Sequence, residues 1–333
     1  MGASLIVAPR VDVGDPKLDA LLDTLEDPSA VWRTIAALDG LRDAAPLPRD
    51  IPEPLARFLR FARLPVWAQS HRMARGARFA EENLPYVSIS LVAGALPLLF
   101  TSADGARVLT TTRRLLDDLD RRVNETARFA FAILAPDAFG PDGSGIRAAL
   151  RVRLIHAAVR RSQRQQGSVP INEAQLLGTL FAFSVVVLKC VTRLGARVTD
   201  RDREDYWHLW RVVGALLGID ERVMPRRYVQ AERAMRRLLD AYTAPSPAGR
   251  ALTAVLLEGI QRHLLVPEVS PWLVRYLLGE RVADLIDVPR PRQNRLDARW
   301  VRRHAPRIFV AVKPLLGRTL HEAVVRRKLA PRA

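Results

Sequence analysis

Two apolar runs, Leu84–Phe100 and Leu176–Val191, set what this chain can fold into. Pro85 and Pro97 interrupt the first, and Thr179, Ser184 and Lys189 the second. A membrane span needs about 20 consecutive apolar residues, so both read as core helices of one large helical body. The rest of the 333-residue chain agrees. No stretch alternates apolar and polar residues for long enough to make a sheet, and nothing recurs at a fixed period. The pattern predicts an all-α protein of roughly twelve helices.

Prolines at 46, 48, 52 and 54 separate an N-terminal helical extension, residues 1–50, from a single helical domain, residues 51–333. Apolar spacing predicts helices over Asp15–Leu25, Ala30–Leu41, Pro54–Arg63, Trp67–Asn83, Val108–Asp117, Arg121–Leu134 and Ile146–Arg164. Ala103-Asp104-Gly105 reads as a turn. Asn172 and Gly195 read as the N-cap and the terminator of a helix over Glu173–Leu194. Thr199 starts the next helix, which runs to about Leu217. Later helices are expected over Arg226–Tyr242, Gly249–Leu265, Pro271–Leu278, Arg295–His304 and Ile308–Val325, packed on the preceding core. Residues 1–14 read as extended and the basic tail Arg326–Ala333 as frayed.

Composition narrows the function classes. The single cysteine, Cys190, lies in an apolar run, which excludes an intrachain disulfide framework and any cysteine cluster for zinc or iron–sulfur. The net charge of +17 arises from 52 basic residues, of which only Lys17, Lys189, Lys313 and Lys328 are lysine. These arginines are scattered over nearly every helix and form no nucleic-acid motif. Charge of this kind favours peripheral contact with an anionic membrane surface over nucleic acid. The N-terminus shows no export signal, so the expected location is cytoplasmic. HExxH, a nucleotide-binding glycine loop and a GxSxG elbow are all missing.

One histidine stands out. His156 lies among Leu154, Ile155, Ala157, Ala158 and Val159, with Arg153 three residues before it and Arg160 four after. Those offsets put all three on one helical face. The arrangement suits a buried haem iron with anionic propionates. It equally suits a core histidine with a satisfied ring nitrogen beside two solvated or ion-paired arginines. His208, beside Trp207 and Trp210, reads as packing. Gly178 and Thr179 read as close helix contact, and Phe181 and Phe183 as core or pocket lining.

Three blocks, in order, resemble the family of bacterial latex clearing proteins (rubber oxygenases) and fungal MpaB-type oxygenases. They are Arg121–Phe129 (RRVNETARF), Arg151–Arg160 (RVRLIHAAVR), and Val169–Glu173 with Leu177–Leu180, Phe183 and Ser184, followed by Tyr206–Ile219. The looser similarity runs from about residue 60 to 225. The resemblance implies a b-type haem in a helical, globin-like core, with His156 as the axial iron ligand. It also implies Arg122 and Thr126 near the distal face, where Phe129 extends the same helical stripe.

One position departs from the family. Rubber oxygenases carry a lysine directly before that threonine, and this chain has Glu125. A carboxylate reproduces neither an amine ligand nor its charge. Glu125 is then either a distal acid/base group tuned by burial and Arg122, or a surface residue paired with Arg121 or Arg128. The family's other distal carboxylate has no clear counterpart, although Asp104 lies in the right region.

The resulting expectation is a haem b-dependent oxygenase using O₂ on a hydrophobic small-molecule or polymer substrate, isoprenoid or another alkene. Its catalytic candidates are Arg122, Glu125 and Thr126, its haem-binding candidates His156, Arg153 and Arg160, and its iron ligand His156. The alternatives are a haem-binding sensor or carrier without catalysis, and a haem-free basic helical interaction protein.

Overall fold

A computed structural model of the chain describes residues 8–111, 119–168, 171–262, 269–290, 299–300 and 303–310. Its helices are α1 (Pro16–Asp23), α2 (Ala30–Ala37), α3 (Glu53–Phe61), α4 (Ser70–Glu82), α5 (Leu84–Leu99), α6 (Ala103–Thr111) and α7 (Leu119–Leu134). They continue with α8 (Gly145–Gln165), α9 (Glu173–Arg193), α10 (Asp200–Leu216), α11 (Tyr228–Tyr242), α12 (Pro247–Gln261), α13 (Val269–Leu278) and α14 (Glu280–Leu285). Residues 303–310 are also helical, and the described residues contain no strand. The all-α expectation holds, with a few more helices than anticipated. Most of the expected helix Ile308–Val325, parts of Val108–Asp117, Gly249–Leu265 and Arg295–His304, and the tail from Arg326 lie outside the described residues.

Local signals set several boundaries. Asn172 caps α9 through a reciprocal box, its side chain accepting from the Gln175 N–H at 3.0 Å while Gln175 Oε1 accepts from the Asn172 N–H at 3.2 Å. Gly195, at φ +101°, ends the same helix in the left-handed region. Thr199 and Asp202 build the matching box on α10. Asn172→Ala is expected to lower the stability of the fold by about 1 kcal/mol in urea unfolding. An unchanged midpoint would show that packing alone holds the start of α9.

The expected turn at Ala103-Asp104-Gly105 is instead the first turn of α6. Ser102 Oγ accepts from the Gly105 N–H at 3.3 Å, Asp104 supplies a carboxylate to the helix N-terminus, and Ala106 is fully buried. These favour the helix over the turn that the triplet suggests.

α9 reaches 21 residues because its polar residues bond their own turns: Thr179 donates to Gln175 O at 2.9 Å and Ser184 to Leu180 O at 2.6 Å. Contrary to the composition reading, it is therefore long and apolar enough to cross a membrane, but 78% of its apolar window is buried within the protein. α4 and α5 meet at Asn83 with an 87° bend, as Pro85 requires. Both α5 and α9 contain a wide π turn, at Leu91–Ala95 and Ala182–Val186, and these two turns pack on each other. Gly94 lets α5 and α9 approach, since a Cβ there would stand 2.8 Å from Cys190 Sγ. Burial pushes the Cys190 thiol up to about 12, so it is an inert core residue.

Two apolar clusters share one helix. The main core is built on α4, α5, α7 and α9 to α13. A smaller one joins α1, α2 and α3 to Leu150, Leu154, Ala157 and Ala158 of α8. Ala149 and Val152, on the opposite face of α8, pack into the main core. His156 lies on that second face.

Candidate functional site

α8 carries the histidine, and its first turn is fixed from outside. Asp43 accepts from the Ile146 and Arg147 backbone N–H groups at 3.0 and 2.8 Å, supplying the cap that the local sequence lacks. Burial raises the Asp43 carboxyl above its ordinary value, against the pull of those two N–H groups and of Arg147.

The opposing helix is α7, joined to α8 by the loop 135–144. Arg128 of α7 and Arg151 of α8 both reach Asp39, at 3.0 and 3.7 Å, which ties the two helices together near that carboxylate. Stepping back from Arg128 to Val123 and forward from Arg151 to His156 covers the same number of residues. In an antiparallel pair this counting brings His156 toward the N-terminal half of α7, the segment that holds Val123 and Thr126. His156 is half-buried, and its Nδ1 atom is buried.

Val123 and Thr126 line a cavity of about 10 Å³ in the main core, together with Leu91 and Val92 in the first π turn and Phe183 in the second. π turns recur at functional sites because they widen a helix where something must fit. Thr126 supplies the one side-chain hydroxyl among these apolar groups. Glu125 is placed differently: its side chain is 39% exposed, with Oε1 at 3.2 Å from Arg121 Nε. The side chain of Arg122 lies outside the described residues. Asp104 sits 49% exposed in the first turn of α6, 3.5 Å from Arg107.

Both arginines flanking His156 have carboxylate partners that sequence spacing did not reveal. Arg153 donates from Nε and Nη2 to Asp15 at 2.6 and 3.1 Å. Arg160, 1% exposed, donates from Nε and Nη2 to Asp19 at 3.0 and 2.8 Å. Asp15 caps α1 and Asp19 lies one turn on, so the N-terminal extension docks on α8 through these pairs. A Cβ on Gly14 would meet the Arg160 side chain at 2.5 Å, so glycine is what lets the chain pass there.

His208 packs, as expected. Its Nε2 accepts from the Gln69 backbone N–H at 3.0 Å and its ring meets Trp67 edge-on at 5.8 Å. Burial, helped by Arg72 and Arg211, depresses it to about 4, so it is neutral near pH 7.

The donor chemistry can be tested against a haem. Among the described residues no group of three or more His, Cys, Asp or Glu side chains converges to hold a bare metal ion. A lone imidazole suffices only when a macrocycle supplies the other equatorial ligands. An apolar wall, small residues at 127 and 130 and one hydroxyl suit such a group chemically. The present space between α5, α7 and α9 holds about one water, so those helices must part for a macrocycle to enter.

Residues 78–308 match the family model described as ER-bound oxygenase mpaB/B'/rubber oxygenase, catalytic domain. The chain belongs to this family. A rubber oxygenase of Streptomyces sp. (strain K30) is 31% identical over 295 residues, 82% of this chain and 69% of that protein. The solved structure of a latex clearing protein in its closed state superposes with a TM-score of 0.74 at 27% identity, over 98% of this chain and 93% of the other. Family membership therefore spans α4 to residue 308 and includes the histidine helix in its first half, and the fold likeness extends to the N-terminal helices.

Proposed function

We propose that the chain is a haem b-dependent oxygenase that uses O₂ on a hydrophobic alkene, with isoprenoids the foremost class and His156 the axial ligand of the iron. The observation that carries this reading is the position of His156. It is a single imidazole on the helical face that also carries Ala149 and Val152, facing toward the helix α7 that lines an apolar cavity, in a family of oxygenases. The rubber oxygenase relative supports a hydrocarbon substrate.

Haem, when bound, supplies the activation of O₂. The protein's share is binding, orientation and exclusion of water. His156 would hold the iron from α8. Leu91, Val92 and Phe183 would keep the opposite side dry, which strengthens every polar interaction made inside it. Thr126 would bring the one hydroxyl of the cavity lining to that side. Glu125, half in solvent beside Arg121, is assigned a supporting charge rather than the acid/base step. Arg153 and Arg160 would meet propionates only by sharing their guanidinium edges with Asp15 and Asp19.

Purified protein supplied with haemin is expected to show a Soret band and to consume O₂ when given cis-polyisoprene oligomers or a terpenoid alkene. A band without uptake on any alkene would favour a sensor or carrier, and no band at all a haem-free protein.

A further inference from the structure

A second cavity lies apart from the one beside Thr126. A groove of about 540 Å³ opens where α1, α3, the start of α8 and the end of α10 converge. Its size falls within the range of small-molecule sites, roughly 300–1,000 Å³. Its floor is apolar, with Leu21, Phe58, Leu150 and Leu216 among its walls.

The charges around it are one-sided. Lys17, Arg57, Arg63 and Arg153 line it against one carboxylate, Glu221. Glu221 already accepts from the Trp67 indole N–H at 2.6 Å. Arg153 is balanced by Asp15, and its guanidinium lies 5.3 Å from the centre of the Phe58 ring. The others are not balanced. Arg63 donates only to the carbonyl oxygens of Arg60 and Ala62. Lys17 and Arg57 pair with no carboxylate among the described residues.

The rim adds a second signal. Phe61 lines the groove yet is 70% exposed, and nearby Val66 is fully exposed. α3 therefore turns one face inward, through Leu55 and Leu59, and leaves Phe61 beside arginines in water. Isolated exposed apolar residues need no explanation, but an aromatic rim on a cationic pocket with an apolar floor does.

We propose that this groove binds an amphipathic anion: a single apolar chain ending in a carboxylate or phosphate. The chain lies along Leu21, Phe58 and Leu216, and the head is held by Arg57, Arg63 and Lys17. Charge complementarity selects this occupant, because a neutral hydrocarbon leaves three cations facing an empty pocket and a purely ionic ligand leaves the floor wet. Arg153 lines this groove and also figures in the haem reading, but the head group is assigned to Arg57, Arg63 and Lys17, so the proposal does not depend on that reading.

The test is titration of the full chain, without added haem, with a conjugated-polyene fatty acid below its micelle concentration, read by polyene fluorescence. Saturable binding is expected, with the alcohol of the same chain binding roughly tenfold more weakly, as loss of one charged hydrogen bond implies. Arg57→Gln/Arg63→Gln is expected to weaken the acid by at least that factor, to leave the alcohol unchanged, and to keep the wild-type melting temperature. The acid–alcohol ratio on wild-type protein decides the matter even where the double variant folds poorly. Equal affinity for acid and alcohol overturns the proposal, and so does absence of monomer binding. Binding only to anionic phospholipid vesicles, never to the monomeric acid, overturns it too and assigns the face to a membrane surface. An alkyl phosphate run beside the acid distinguishes the two head groups.

Discussion

His156→Ala is expected to remove the Soret band that haemin gives with the wild-type chain, and added imidazole is expected to restore it. The reasoning starts from α8. One face of this helix is fixed by Leu150, Leu154, Ala157 and Ala158 against α1 to α3, so the helix cannot rotate to offer another residue. The other face carries Ala149 and Val152 into the main core, and helical spacing puts His156 on that face. Alanine at 156 removes the imidazole and leaves a gap of about its size, which free imidazole can enter. No histidine or cysteine is among the described residues that line the cavity, and nearby Cys190 is a buried thiol held protonated by its surroundings. Half-buried His156 is not a principal core residue, so the unfolding midpoint should shift by no more than about 1 kcal/mol.

Glu125→Gln is the control: an exposed i,i+4 pair with Arg121 contributes about 0.5 kcal/mol or less, and the band should persist. Visible spectra of the three proteins, with and without imidazole, check this. A band of unchanged position and intensity in His156→Ala would remove the residue from the ligand role. A band lost in Glu125→Gln would restore Glu125 to the distal side.

The parts of this arrangement that the sequence displays are the local ones. Asn172, Gly195 and Thr199 mark helix ends because a cap is a contact between residues three or four apart. The shared face of Arg153, His156 and Arg160 follows from helical spacing alone. What that face meets does not, since Asp15 and Asp19 lie far away in the sequence and Asp43 caps α8 from another loop. The π turns are equally hidden, since the two that pack on each other lie about ninety residues apart in the chain. The turn expected at Ala103 failed where burial of Ala106 and the Ser102 cap outweighed a local preference. The basic groove was invisible for the same reason as the carboxylate partners: its walls come from residues as distant as Lys17 and Glu221. The family resemblance, rather than spacing, singled out Thr126, and the structure puts it on the apolar cavity while turning Glu125 toward Arg121.

The crossing of α4 and α10 is the most extensive helix contact in the fold, and Asp205 is its polar centre. A Cβ at Gly76 would stand 2.7 Å from the Asp205 carbonyl oxygen, so the two backbones nearly touch. Arg72 Nε and Arg75 Nε reach the two Asp205 oxygens at 2.8 and 2.6 Å, and the carboxylate is 4% exposed. Burial alone would raise its pKa, but the hydrogen bonds and charges of Arg75 and Arg72 outweigh this and hold it below the ordinary 3.8. Asp205→Asn keeps the shape and removes the charge. Breaking a fully buried pair costs about 3–5 kcal/mol. Here Arg72 and Arg75 are 23% and 34% exposed and regain water, so about 2 kcal/mol is expected near pH 7. The pH dependence fixes the cause. A depressed carboxylate contributes stability above its unfolded pKa and loses it as pH falls through the folded value. The gap between wild type and Asp205→Asn should therefore be full at pH 7 and close below about pH 4. Urea unfolding at both pH values measures it. A gap that persists undiminished in acid would mean that packing of the side chain, and not its charge, ties α10 to α4.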